Sequence, residues 1–282
     1  MKKIGVILDS YSGFTAKELE SEGFLLLPLQ LNIDGKNYLE GYDIEGPEVL
    51  MHLRNNKEAK TSLPPYFKME EVMQYAYENY DKVLVLTINE NLSSEYSFLK
   101  TISQGIGEEK FIIFSNNFNA KQYIIAAKRA KEMLENGASD TEVIQFLKEY
   151  NESSLNYIIP VSLNPFIKGG RLKGYKKVLM TSLKLVPILK NNEGVTFDGV
   201  KRTVKLSIQK TVEKLLDFIG GDKNIQFYNF WIIQTGDGQI VEDAKTILAK
   251  HNIVPSFIAL GSASTMIHAG IDSISIGVSK KI

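Results

Sequence analysis

Three short and almost wholly apolar runs constrain this chain more than anything else in it. They are "KIGVILD" (3–9), "KVLVLTI" (82–88) and "KFIIFS" (110–115). A strand with one wet face alternates apolar and polar residues; these do not. Runs of this length without alternation belong to a sheet buried on both faces, which in practice means a parallel sheet layered between helices. The segments between them fit that demand. "TAKELESEG" (15–23) and "IEGPEVLMHLRNN" (44–56) read as helices, the first stopped by Gly23 and the second carrying Pro47 near its start. A further helix is expected near 94–106. "AKQYIIAAKRAKEMLENG" (120–137) and "DTEVIQFLKEYNESS" (140–154) are amphipathic, with Gly137 ending one and Asp140 capping the other. "FLLLPLQLNI" (24–33) reads as a second strand. Strand and helix in alternation predict a doubly wound α/β domain.

The pattern changes past residue 155. "LNYIIPVSL" (155–163) and "VPIL" (186–189) read as strands. The turn "NNEG" (191–194) between apolar runs predicts an antiparallel hairpin, and a second turn is expected around Asp198–Gly199. A long helix ends at Gly220–Gly221. Strand, helix, strand and a final strand follow in "IQFYNFWIIQTG", "QIVEDAKTILAKHN", "IVPSFIAL" and "SISIGV". The expectation is two α/β domains, 1–157 and 158–282, with a ligand cleft between them.

Composition excludes several function classes. Lys plus Arg and Asp plus Glu number 33 each, so no charge block points to nucleic acid or anionic membrane. With no cysteine there is no thiolate zinc site and no cysteine nucleophile. The apolar run at the N-terminus is too short for a signal peptide, and none reaches membrane-spanning length, so a soluble cytoplasmic protein is expected. No phosphate-cradling G-x-x-x-x-G-K-[ST], no G-x-G-x-x-G and no G-x-S-x-G appears. His52, His251 and His268 lack metal-ligand spacing. Most carboxylates lie on helix faces, where solvation accounts for them. Nothing here compels an enzyme, and no cofactor is expected.

One stretch asks for a purpose: "NPFIKGGRLKGYKK" (164–177). Gly169 and Gly170 let the backbone bend or approach a neighbour closely. Arg171 then presents a rigid fork of donors suited to a carboxylate or phosphate. The plain alternative is a helix-stopping glycine followed by a solvated basic loop.

Six segments, in order along nearly the whole chain, resemble the DegV family of bacterial fatty-acid-binding proteins, whose best understood members are the FakB subunits of the fatty acid kinase system. They are "ILDSYSGF", "TSLPPY", "INENLSSEY", "FIKGGRL", "LKLVPIL" with "EGV" and "VKR", and "MIHAGIDSISIGV". The resemblance implies a two-domain fold, with a doubly wound N-terminal domain and a C-terminal domain holding a mixed sheet. It implies a long-chain fatty acid with its tail in a buried tunnel and its carboxylate at the domain interface. By position the head-group residues are Thr61, Ser93, Arg171 and His268, with Ser62, Gly169 and Gly170 beside them. It also implies a fatty acid kinase subunit as partner, met by basic residues including Lys177 and Arg202. Residue by residue, simpler roles stay open: Ser93 as a helix cap, Thr61 as a loop hydroxyl, His268 as a core histidine, Asp9 and Ser10 as turn residues. The chain also departs from the family pattern. Leu63 and Pro65 replace polar residues, Val186 replaces a lysine, Gln234 a histidine, and Glu95 places a negative charge two residues after Ser93. An enzyme acting on a small anionic metabolite, or a diverged protein-interaction member, are the alternatives.

Overall fold

The computed structural model describes residues 3–173, 185–236 and 238–282. They form two compact units. One holds the chain up to Asn151 together with Ser262–Ser264 and Ile282; the other holds Glu152–Gly261 and Thr265–Lys281.

In the first unit the apolar runs become β1 (Ile4–Asp9), β2 (Leu25–Leu27), β6 (Lys82–Ile88) and β7 (Phe111–Asn116). They pair in parallel in the order β2-β1-β6-β7. Each strand alternates between two apolar layers. Ile4, Val6 and Leu8 of β1 pack with Leu84 and Leu86 of β6 against α5 (Lys121–Glu135) and α6 (Asp140–Glu152). Ile7, Val83 and Val85 pack on the other face against α3 (Tyr66–Asn79) and α4 (Glu95–Ile106). The sheet is therefore covered on both sides, which is why its strands carry no polar alternation. Helix α1 (Ala16–Ser21) opens with a capping box in which Thr15 and Glu18 satisfy each other's backbone N–H groups.

"FLLLPLQLNI" is not one strand. Pro28 cannot donate to a ladder, and the chain leaves the parallel sheet there. It resumes as β3 (Gln30–Ile33), the centre of an antiparallel sheet with β4 (Lys36–Leu39) and β5 (Ala59–Ser62). Helix α2 (Gly46–Arg54), with Pro47 in its first turn, lies between β4 and β5 in the chain.

The second unit is built on a seven-stranded mixed sheet. Its strands are β8 (Leu155–Ile159), β9 (Leu172–Lys173), β10 (Val186–Asn192), β11 (Gly194–Lys201), β12 (Tyr228–Gln234), β13 (Phe257–Leu260) and β14 (Ile274–Lys280). Among the described residues the order is β13-β12-β14-β8-β10-β11-β9. The hairpin at "NNEG" is present, with Asn192 paired to Gly194. The turn expected around Asp198–Gly199 is not. Both residues lie inside β11, where the pairing slips between Ile188↔Gly199 and Leu189↔Phe197 and leaves Asp198 as the extra residue of a bulge. Asp198 bonds Lys214 at 2.6 Å instead. Lys214 is on α8 (Val204–Phe218), which with α9 (Gln239–Ala249) covers one face of the sheet. Ile208, Val212, Leu215 and Leu216, spaced four, three and one apart, form the apolar stripe of α8 and pack on Tyr157, Ile232 and Ile276. Each such side chain contributes about 1.5–3 kcal/mol by leaving water. Two short helices, α7 (Asn164–Gly169) and α10 (Ala263–Ala269), complete the set. No helix among the described residues is long and apolar enough to cross a membrane.

Candidate functional site

Helix α7 ends because Gly170 adopts the left-handed conformation, with φ at 71°, and the N–H of Arg171 closes back on Phe166 O. Gly170 is thus a helix stop, as the plain alternative held. Gly169 has a different job. A Cβ built on it would lie 2.4 Å from Nδ1 of His268 and 3.0 Å from Cε1, so the imidazole is seated directly on the backbone that Gly169 leaves bare. Arg171, half-buried, turns back over the same turn and donates from a guanidinium N–H to Gly169 O at 2.5 Å. Among the described residues no carboxylate lies within ion-pairing distance of it. Three of the expected residues, Gly169, Arg171 and His268, are therefore brought together within the second unit.

Burial, and then the Arg171 charge beside it, hold His268 down to about 4. At neutral pH the ring is uncharged and still has an N–H to give.

The first unit holds the other expected donors. Thr61 is half-buried on β5, opposite Leu31. Ser62 is exposed, and its hydroxyl donates to Leu63 O at 3.4 Å. Ser93 accepts the Glu95 N–H at 3.2 Å. Ser94, the formal cap of α4, makes no side-chain cap bond. Ser93 is then the working cap, and its hydroxyl proton stays available to an acceptor. Lys177 lies outside the described residues. Arg202 is exposed, one residue past the end of β11 and next to Thr203, which caps α8.

The expectation that solvation accounts for most carboxylates fails at the C-terminal end of the parallel sheet. Asp9, Glu40 and Glu95 are all buried, with Glu95 0 % exposed. Glu40, just past β4, accepts from Ser10 Oγ at 3.0 Å, from Ala263 N–H at 2.6 Å and from Ser264 Oγ at 3.2 Å. Burial still pushes its carboxyl up to about 7. Asp9 accepts the Ile88 N–H at 2.5 Å through Oδ2. Burial pushes Asp9 up to about 7 too, and pushes Glu95 well above the usual carboxylate range. Glu95 therefore turns into the interior of the unit. Sequence reasoning placed Asp9 and Ser10 at a strand end and questioned Glu95, but it missed Glu40. A glutamate after a polar strand carries no local signal of burial. No group of three or more His, Asp or Glu among the described residues is arranged to hold a metal ion.

Comparison with known proteins places the whole chain in one group. The sequence model of the family described as "Uncharacterised protein, DegV family" matches residues 3–281. A DegV domain-containing protein of Mycoplasmopsis pulmonis is 27% identical over 280 residues, covering 99% of this chain and 95% of its own. Among solved structures, a DegV family protein from Thermus thermophilus, described as binding fatty acid, superimposes with a TM-score of 0.85 at 21% identity. That match covers 99% of this chain and all of the other. DegV from Bacillus subtilis, also described as a fatty acid binding protein, gives 0.83 at 21% identity, covering 100% of both chains. A stearic-acid-binding protein from Eubacterium ventriosum gives 0.83 at 20%, covering 100% of this chain and 99% of its own. These likenesses carry the parallel sheet of the first unit and the mixed sheet of the second together. The chain belongs to the DegV family.

Proposed function

We propose that this chain binds a long-chain fatty acid as a carrier rather than a catalyst. Arg171 and His268 receive the carboxylate, and Thr61 and Ser93 add hydroxyl donors. The observation that carries this reading is the grouping within the second unit. A neutral, donor-capable imidazole rests on Gly169, and beside it stands a guanidinium with no acidic partner among the described residues. A cation left without a counter-charge beside a largely desolvated imidazole suits an anion that arrives from outside. The solved relatives described as fatty-acid-binding proteins favour a fatty acid as that anion.

The finer reading follows the same line. The acyl tail occupies a buried tunnel, the head group lies between the domains 1–157 and 158–282, and a kinase subunit takes the carrier at a surface that includes Lys177 and Arg202. Native mass spectrometry of the protein purified from bacteria should show a co-purified acyl mass. Arg171→Ala should weaken acyl-chain titration about ten- to hundredfold, the worth of one charge-assisted hydrogen bond, with little change in melting. A bound polar metabolite, or wild-type acyl affinity in Arg171→Ala, would overturn the reading.

A further inference from the structure

Helix α10 carries His268 in its last turn and has only seven residues. A helix that short does not hold its own place. The seat of the imidazole on Gly169 therefore depends on what grips α10 from outside. Gly270, with φ at 82°, ends the helix and returns its N–H to Met266 O at 2.9 Å. The carbonyls of the last turn have no partner within the helix itself.

Two hydroxyls take them. Ser273 Oγ donates to Ala269 O at 2.9 Å, and Thr235 Oγ1 donates to Gly270 O at 2.7 Å. Thr235 is the first residue past β12 and is 2 % exposed. Its hydroxyl oxygen also accepts the Ser273 N–H at 2.9 Å. Its backbone N–H donates to Ser273 O at 3.0 Å, and its carbonyl accepts the Asp272 N–H at 3.0 Å. Ser273 is thus itself placed by Thr235. Oγ1 lies 3.2 Å from Ser273 O as well, but a hydroxyl has one proton, and the shorter contact with Gly270 O claims it. The surroundings leave little slack. A Cβ on Gly236 would stand 2.3 Å from Asp272 Oδ1, and one on Gly270 would stand 3.1 Å from Pro165 Cγ, in the first turn of α7. The end of α10 is therefore held between β12 and the helix that ends at Gly169, all within the second unit.

We propose that Thr235 is a positioning residue of the head-group site, whose hydroxyl locks the end of α10 to β12 and so sets the His268 ring over Gly169. Its effect on ligand affinity rests on the fatty-acid reading above. The methyl of Thr235 has a separate place, since a Cβ on Gly261 would stand 3.3 Å from its Cγ2. Valine keeps the methyl and the shape and removes the hydroxyl; serine does the reverse.

The test compares Thr235→Val with Thr235→Ser by NMR titration of the His268 ring proton and by acyl-chain titration. The ring signal is identified by its absence from His268→Ala. In Thr235→Val the loosened ring gains water, and its midpoint should rise from about 4 toward the ordinary value near 6.5. Acyl affinity should fall about ten- to hundredfold, as displaced positioning contacts do. Thr235→Ser should keep both near wild type. Ser207→Ala removes a buried hydroxyl bond from α8 to Val186 O, and it should lower Tm and move neither readout. A Thr235→Val protein that behaves like Ser207→Ala overturns the proposal, and so does a serine variant that fails to restore the ring. Hydrogen exchange of the wild type adds a measurement that needs no variant: the Ser273 amide should be protected as strongly as the amides of β12. Rapid exchange there overturns the proposal whether or not Thr235→Val folds. A wild type that binds no acyl chain, but whose ring midpoint moves with valine and returns with serine, overturns the lipid reading and the affinity claim and leaves the hydroxyl lock supported.

Discussion

Replacing Gly169 by alanine separates the two adjacent glycines by what each one does. The new Cβ would stand 2.4 Å from His268 Nδ1, where ordinary contact begins at 3.4 Å, so the ring must retreat by about 1 Å. A clash of that size in a packed site costs about 1–3 kcal/mol. At about 2–4 °C per kcal/mol, Tm should fall by several degrees. Acyl affinity should fall about ten- to hundredfold as the imidazole leaves its place. Gly170 behaves otherwise. A Cβ there meets nothing within 4 Å, but φ is 71°, so alanine pays only for the left-handed backbone, about 1–2 kcal/mol. Gly170→Asn should recover part of that loss, and affinity should stay near wild type. The assay is a double-mutant cycle in thermal melts and acyl titration. In a His268→Ala background the clash is gone, and Gly169→Ala should cost only a few tenths of a kcal/mol. An equal cost in both backgrounds would refute the contact argument.

Two pH predictions follow from the buried groups. The carboxyl of Glu40 is raised from 4.5 to about 7, so its native state keeps a proton that the unfolded chain has released. Its contribution is full below about pH 4.5 and is lost as pH climbs through 7, a change of roughly 3 kcal/mol. Urea melts at about pH 5 and about pH 8 should show this loss in wild type and a smaller one in Glu40→Gln. His268 runs the opposite way. Held down to about 4, it resists a proton that the unfolded chain accepts near 6.5, so its share of stability is full above pH 6.5 and fades as pH falls toward 4. NMR titration of its ring proton should show a neutral imidazole at about pH 6, and added fatty acid should move the midpoint upward as a carboxylate comes alongside.

Legibility in the sequence followed how local the cause was. The parallel strands were readable because burial on both faces writes itself into every residue of "KVLVLTI". The hairpin was readable because "NNEG" is a turn by its own chemistry. "FLLLPLQLNI" misled because one proline moves the chain between sheets without interrupting its hydrophobicity, and Asp198–Gly199 misled because turn residues also build bulges. At the site, Gly170 as a helix stop was local and visible. The seating of His268 on Gly169 joins residues 99 positions apart, and only the fold could show it. Glu40 was invisible for the same reason: its donors at Ala263 and Ser264 lie more than two hundred residues away.

The two-residue strand β9 begins at Leu172, directly after Arg171, and pairs with Val195 and Thr196 of β11. Among the described residues it stands at one edge of its sheet, with β13 at the other. Long exposed edges recruit other chains, and a very short outer strand is one way of closing them off. Residues 171–173 therefore hold two obligations in one turn of chain. If Leu172 unpairs, Val195 and Thr196 of β11 lose their outer partner, and Arg171 loses the anchor that follows it. Loss of solubility and loss of ligand should then arise together, from a single lesion, in variants that leave the head-group residues themselves untouched.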